Sequence, residues 1–108
     1  MVESIQFKGL NELNALEQET AQLLTTEYYE KIKRLLHNET SLMINIKQHK
    51  KGGSKSTKYS FTVKAIAPTT IFEAEKFDWD LARTIHMTFD ALINEINHSF
   101  HKQSGMHK

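Results

Sequence analysis

Between Ser41 and Phe72 the chain has no Asp or Glu, yet six lysines fall there: Lys47, Lys50, Lys51, Lys55, Lys58 and Lys64. His49 lies among them, and Gly52, Gly53, Ser54 and Ser56 interrupt the run. Ammonium groups around a Gly/Ser-rich turn can follow a phosphate backbone, because each is a mobile point charge on a freely turning support. Every phosphate neutralised releases counterion, so such a cluster supplies a large, salt-dependent affinity for a polyanion. Tyr59 and Ser60, next to Lys58, can add polar contacts to sugars. The plainer alternative is a solvated hairpin whose lysines protect a sheet edge. One or two lysines suffice for that, and six without an acid exceed it. The formal net charge of +1 conceals the asymmetry, because every acid lies before Ser41 or after Phe72.

Further cations lie outside this segment. Tyr28, Tyr29, Lys31, Lys33 and Arg34 close a long helical pattern. Tyr28 and Ile32 are expected to pack inward, with Tyr29, Lys33 and Arg34 outward. There they either extend the basic pole or simply complement the helix dipole. Near the C-terminus Arg83, His86, Asp90, Asn94 and Asn97 line the polar side of a second helix, and His98 and His101 are one turn apart. Arg83, His86, His98, His101 and Lys102 join the hairpin lysines as candidate RNA-binding residues. No cysteine exists and Glu95 is the nearest carboxylate to the histidine pair, so a solvated helix face is expected rather than a metal site. No Gly-rich phosphate loop, GxSxG or HExxH occurs. Glu73 and Glu75 share a strand face without an apolar pocket, and Asp78 and Asp80 suit helix caps. Neither an enzyme nor a cofactor is expected.

These groups need a small scaffold. The 108 residues, 39% apolar, fit one core, expected over residues 1–102, with 103–108 as a flexible tail. No apolar run reaches the length of a bilayer span. Met1 to Leu10 lacks the apolar stretch of a secretory signal, so Asn38-Glu39-Thr40 reads as an accidental glycosylation triplet and the cytoplasm as the expected compartment.

Ile5 and Phe7 alternate with polar neighbours and predict a strand ending at Gly9. Leu13, Leu16, Thr20, Leu23, Leu24, Tyr28, Ile32, Leu35 and Leu36 recur at helical steps, with Asn14 and Glu17 spaced as a capping box. Leu42, Ile44 and Ile46 predict a second strand, Tyr59, Phe61, Val63 and Ala65 a third, and Thr70 to Glu75 a fourth. Leu81, Ile85, Thr88 or Phe89, Leu92, Ile96 and Phe100 form the stripe of a last helix. The fold class is therefore α+β, ordered β-α-β-β-β-α, with a four-stranded sheet and two helices packed on one face. The expected core is Leu16, Leu23, Ile32, Leu35, Ile44, Phe61, Val63, Ile85, Leu92 and Ile96. The free sheet face should show Gln6, Lys8, Met43, Asn45, Lys47, Ser60, Thr62 and Lys64.

This order, from Ser41 to Phe100 in particular, resembles the ribosome hibernation-promoting factor and ribosome-associated inhibitor family. Phe89-Asp90-Ala91-Leu92-Ile93-Asn94-Glu95-Ile96 looks like that family's last helix, and Asp78-Trp79-Asp80 before it looks like an archaeal-style variant. The resemblance implies binding to the small ribosomal subunit, contact with its rRNA in the decoding channel, and translation inhibition. Bacterial members carry basic residues on the last helix where this chain has Glu95 and His98, which shifts weight to the hairpin lysines. A double-stranded RNA-binding domain and a non-catalytic homodimer paired through the open sheet face are the alternatives.

Overall fold

The alternating segments become strands and the three- and four-step segments become helices. A computed structural model describes residues 4–37, 39–50 and 57–105, with backbone alone at 50 and 100–105. Strand β1 is Ile5–Lys8, helix α1 Ala15–Leu36, β2 Ser41–Lys50, β3 Thr57–Ile66, β4 Ile71–Asp78 and α2 Leu81–Gly105. The expected β-α-β-β-β-α order and α+β class hold. The strands lie in the order β1-β2-β3-β4. β1 runs parallel to β2, as a helical crossover requires, and β2, β3 and β4 form an antiparallel meander. Helical backbone continues through Gln103 to Gly105, where the sequence suggests a loose tail.

Gly9 makes the turn out of β1 possible. Its φ is 87°, and a Cβ there would stand 2.0 Å from the Ile46 carbonyl oxygen. A short 3-10 turn, Leu10–Glu12, follows. Helix α1 then starts on the expected capping box: Asn14 Oδ1 accepts from the Glu17 N–H at 2.8 Å, and Glu17 Oε1 from the Asn14 N–H at 3.1 Å. The helix closes on His37, in the left-handed region at φ 52°, whose N–H donates to the Lys33 carbonyl.

The buried side of α1 is not the one that its leucines suggest. Ala21, Thr25, Tyr28 and Ile32 are buried, whereas Leu16 is 73% and Leu23 60% exposed. At 100° per residue these two leucines stand about 140–180° round the axis from Ala21 and Thr25. The small Ala21 and Thr25, not the leucines, take the inward positions between Leu13 and Tyr28. Leu35, also expected in the core, is half-buried at its margin. The other expected core residues, Ile32, Ile44, Phe61, Val63, Ile85, Leu92 and Ile96, are all buried.

Helix α2 is capped by Asp80, whose Oδ1 accepts from the Arg83 N–H at 2.9 Å. It packs on β3, β4 and α1, burying Leu81, Thr84, Ile85, Thr88, Phe89, Leu92 and Ile96. A run of aromatic rings crosses the three elements. Tyr28 of α1 stacks on Phe89 of α2 at 4.6 Å, and Phe89 lies 5.8 Å from Phe61 of β3. Both helices therefore cover one face of the sheet, and the other face is open.

Candidate nucleic-acid interface

Strand alternation decides which side chains reach the open face. Leu42, Ile44 and Ile46 face the helices, so Met43, Asn45, Lys47 and His49 project the other way. The register places Lys64 opposite Met43, Thr62 opposite Asn45, Ser60 opposite Lys47 and Lys58 opposite His49. Lys8 of β1 lies beside Asn45. Lys8, Lys47 and His49 are exposed, and Lys58 and Lys64 are half-buried by their neighbours. All five belong to one face. A shallow hollow of about 250 Å³ lies among Lys8, Met43, Asn45, Thr62, Lys64 and Glu73.

The same face turns acidic at its β4 edge. Glu73 stands opposite Lys64, and Glu75 opposite Thr62. Glu75 also accepts a 3.3 Å hydrogen bond from the Ser60 hydroxyl. The cations thus occupy β1, β2 and β3, and the carboxylates line one edge.

Of the tip lysines expected to read phosphates, Lys51, Lys55 and the side chain of Lys50 lie outside the described residues. The side chains of His101 and Lys102 do too. Tyr29 departs from its expected outward role. It is half-buried, its hydroxyl donates to the Thr40 carbonyl at 2.7 Å, and Lys33 Nζ sits 5.2 Å over its ring. The ring that was to face solvent instead fastens α1 to the start of β2.

The helix cations are separated from the sheet cations. α1 enters beside Ile46 and Tyr59 and leaves beside Thr40. Lys33 and Arg34, both exposed, therefore stand at the end of the sheet away from the β2–β3 turn, about 30 Å along β2 by strand rise. Exposed His98 lies in the second half of α2, on the helix layer. His86 Nδ1 is 2.7 Å from the Tyr28 hydroxyl. Burial first, and the Asp90 carboxylate second, hold the Tyr28 pKa above its ordinary value. Arg83 is exposed but pairs with Asp78 at 3.7 Å, so its charge is partly answered. Among the described residues no three His, Asp or Glu gather in a metal-binding group, and no helix is long and apolar enough to cross a membrane.

Two aromatic side chains at this site escape a reading based on charge. Phe77 and Trp79 are 51% and 60% exposed. Lys58 Nζ lies 5.5 Å from the Phe77 ring centroid and 5.7 Å from that of Trp79. The signal was present in Phe77-Asp78-Trp79, where alternation leaves Phe77 opposite Ser60 on the open face.

No protein-family model matches the chain. No curated protein sequence matches it either. Among solved structures, the fold is similar to the crystal structure of the N-terminal domain of Protein Y from Thermus thermophilus. The likeness has a TM-score of 0.57 at 15% identity and covers 91% of this chain and 98% of that one. At that identity the likeness speaks to the fold. The Phe89–Ile96 segment is consistent with this limit, because Phe89, Leu92 and Ile96 are fully buried: the motif is a packing motif.

Proposed function

We propose that this chain binds RNA of the small ribosomal subunit through its open sheet face and β2–β3 hairpin, and thereby holds translation down. The observation that carries the reading is the gathering of Lys8, Lys47, His49, Lys58 and Lys64 on one uncovered face. That face runs toward the end of β2 at Lys50, next in sequence to Lys51 and Lys55. Ammonium groups on neighbouring strands suit a track of phosphates, and Asn45 and Thr62 between them offer hydrogen bonds to sugars and bases, whereas Ser60, expected on the free face, is buried and bonded to Glu75. The ribosome enters through the sequence resemblance to the hibernation-promoting factor family. The order of elements is the one on which the resemblance rests, and the Protein Y domain shares the fold.

Helix α2 contributes less in this reading than the sheet does. Its exposed positions include Asp90 and Glu95 beside Asn94 and His98, a mixed surface that repels phosphate as much as it attracts it. Co-sedimentation of the purified chain with isolated ribosomal subunits on sucrose gradients tests the proposal. The chain should travel with small subunits, release as salt rises, and bind naked RNA duplex more weakly. A chain that stays at the top of the gradient at low salt contradicts it.

A further inference from the structure

Phe77 and Trp79 serve neither the core nor any role described so far. β4 buries Phe72 on its helix side, and strand alternation puts Phe77 on the other side. Trp79 follows at the bend between β4 and α2. Both rings are more than half exposed, an expensive use of the chain's single tryptophan. The Lys58 ammonium lies within 5.7 Å of both ring centroids. Lys47 and Ser60 form the next cross-strand row with Phe77.

We infer that Phe77 and Trp79 form a stacking platform for unpaired bases of single-stranded RNA, with Lys58 holding the phosphate of the stacked nucleotide. This deepens the proposed RNA-binding reading and rests on it. Base faces stack on aromatic rings without regard to sequence, and RNA offers free faces only where it is unpaired. A cation held beside the rings supplies the charge complement that an apolar protein contact would not need. The nearby acids have partners within the fold. Asp78 Oδ2 accepts from the Asp80 N–H and pairs with Arg83, Asp80 Oδ1 caps α2, and Glu75 accepts from Ser60. Of these carboxylates Asp78 has its charge answered by a cation, Arg83.

The test uses single-stranded oligoadenylate as the probe, with a blunt-ended RNA duplex as its comparison. Trp79 fluorescence should be quenched by the single strand and little changed by the duplex. Phe77→Ala and Trp79→Ala should each weaken single-strand binding roughly ten- to hundredfold while leaving the salt slope as in the wild type, since no ionic contact is removed. Trp79→Phe should restore much of the loss. Both rings are exposed, so an unchanged Tm will show that the variants fold. Wild-type affinity in both alanine variants, with Trp79 unquenched, overturns the platform; if lysine variants lose affinity in the same assay, the electrostatic interface stands without it. If the lysine variants also bind as the wild type does, the RNA reading falls as well. Alanine variants that convert a dimer to a monomer without affecting RNA affinity also overturn the platform and assign the rings to a homodimer contact.

Discussion

The Tyr59 hydroxyl donates to Glu17 Oε2 at 2.5 Å, joining β3 to the first turn of α1. Glu17 serves two partners at once, since its Oε1 accepts from the Asn14 N–H of the capping box. The carboxylate, together with burial, pushes the Tyr59 pKa up to about 12 from an ordinary 10.0. A phenol whose pKa is raised on folding favours the folded state as long as it keeps its proton. Its contribution is therefore complete below pH 10 and is lost as pH rises from about 10 through about 12. Tyr59→Phe should cost about 1–3 kcal/mol near neutral pH and should flatten the fall in stability over that alkaline window. Chemical denaturation of both proteins as a function of pH measures this. An equally steep alkaline loss in the variant would assign it to other groups.

Gly9 should not tolerate a side chain. At φ 87°, with the Ile46 oxygen 2.0 Å from a Cβ position, Gly9→Ala meets backbone strain and a backbone clash together. The expected cost is about 2–5 kcal/mol. Because Gly9 leads from β1 toward α1, hydrogen exchange should quicken first in Ile5–Lys8. A Gly9→Ala protein as stable as the wild type would show that the turn can be rebuilt without the glycine.

Leucines of the two helices should respond in opposite ways. Leu92 is fully buried against the sheet, so Leu92→Ala should destabilise by about 2–5 kcal/mol. Leu16→Ala and Leu23→Ala, at 73% and 60% exposure, should each stay within about 0.5 kcal/mol of the wild type. Thermal or urea unfolding distinguishes them. A large loss at Leu23 would mean that the outer side of α1 is covered in solution.

These leucines also mark where the sequence ceased to be legible. Strands β2 and β3 could be read directly, because period-two alternation of Leu42, Ile44, Ile46 and of Tyr59, Phe61, Val63 fixes both the strands and their open face. Asn14 and Glu17 announced the start of α1, since capping is local chemistry. The rotation of α1 is not local. It shows in Ala21 and Thr25, small residues that a hydrophobicity pattern passes over, being buried in place of the leucines. The candidate site divides likewise. The sheet lysines were readable from alternation, whereas Tyr29 was misjudged because its inward hydrogen bond to Thr40 is made by a different element. Phe77 and Trp79 carry no charge, and their exposure follows from β4 extending to Asp78, beyond the Thr70 to Glu75 span that the sequence suggests.

The salt dependence of binding to small ribosomal subunits tests the central claim most directly. Two alanine sets are compared with the wild type: Lys47, Lys58 and Lys64 on the sheet face, and Lys50, Lys51 and Lys55 from the segment that the sequence reads as a Gly/Ser-rich turn. Each set should weaken binding steeply and leave the fold intact. Each should also make the logarithmic salt slope shallower by up to about one unit per lysine that touches a phosphate. Glu73→Ala and Glu75→Ala should hold or tighten binding, because each removes a carboxylate from the same face. Lysine variants that keep wild-type affinity and slope would contradict the account and leave the basic face without a role in RNA binding.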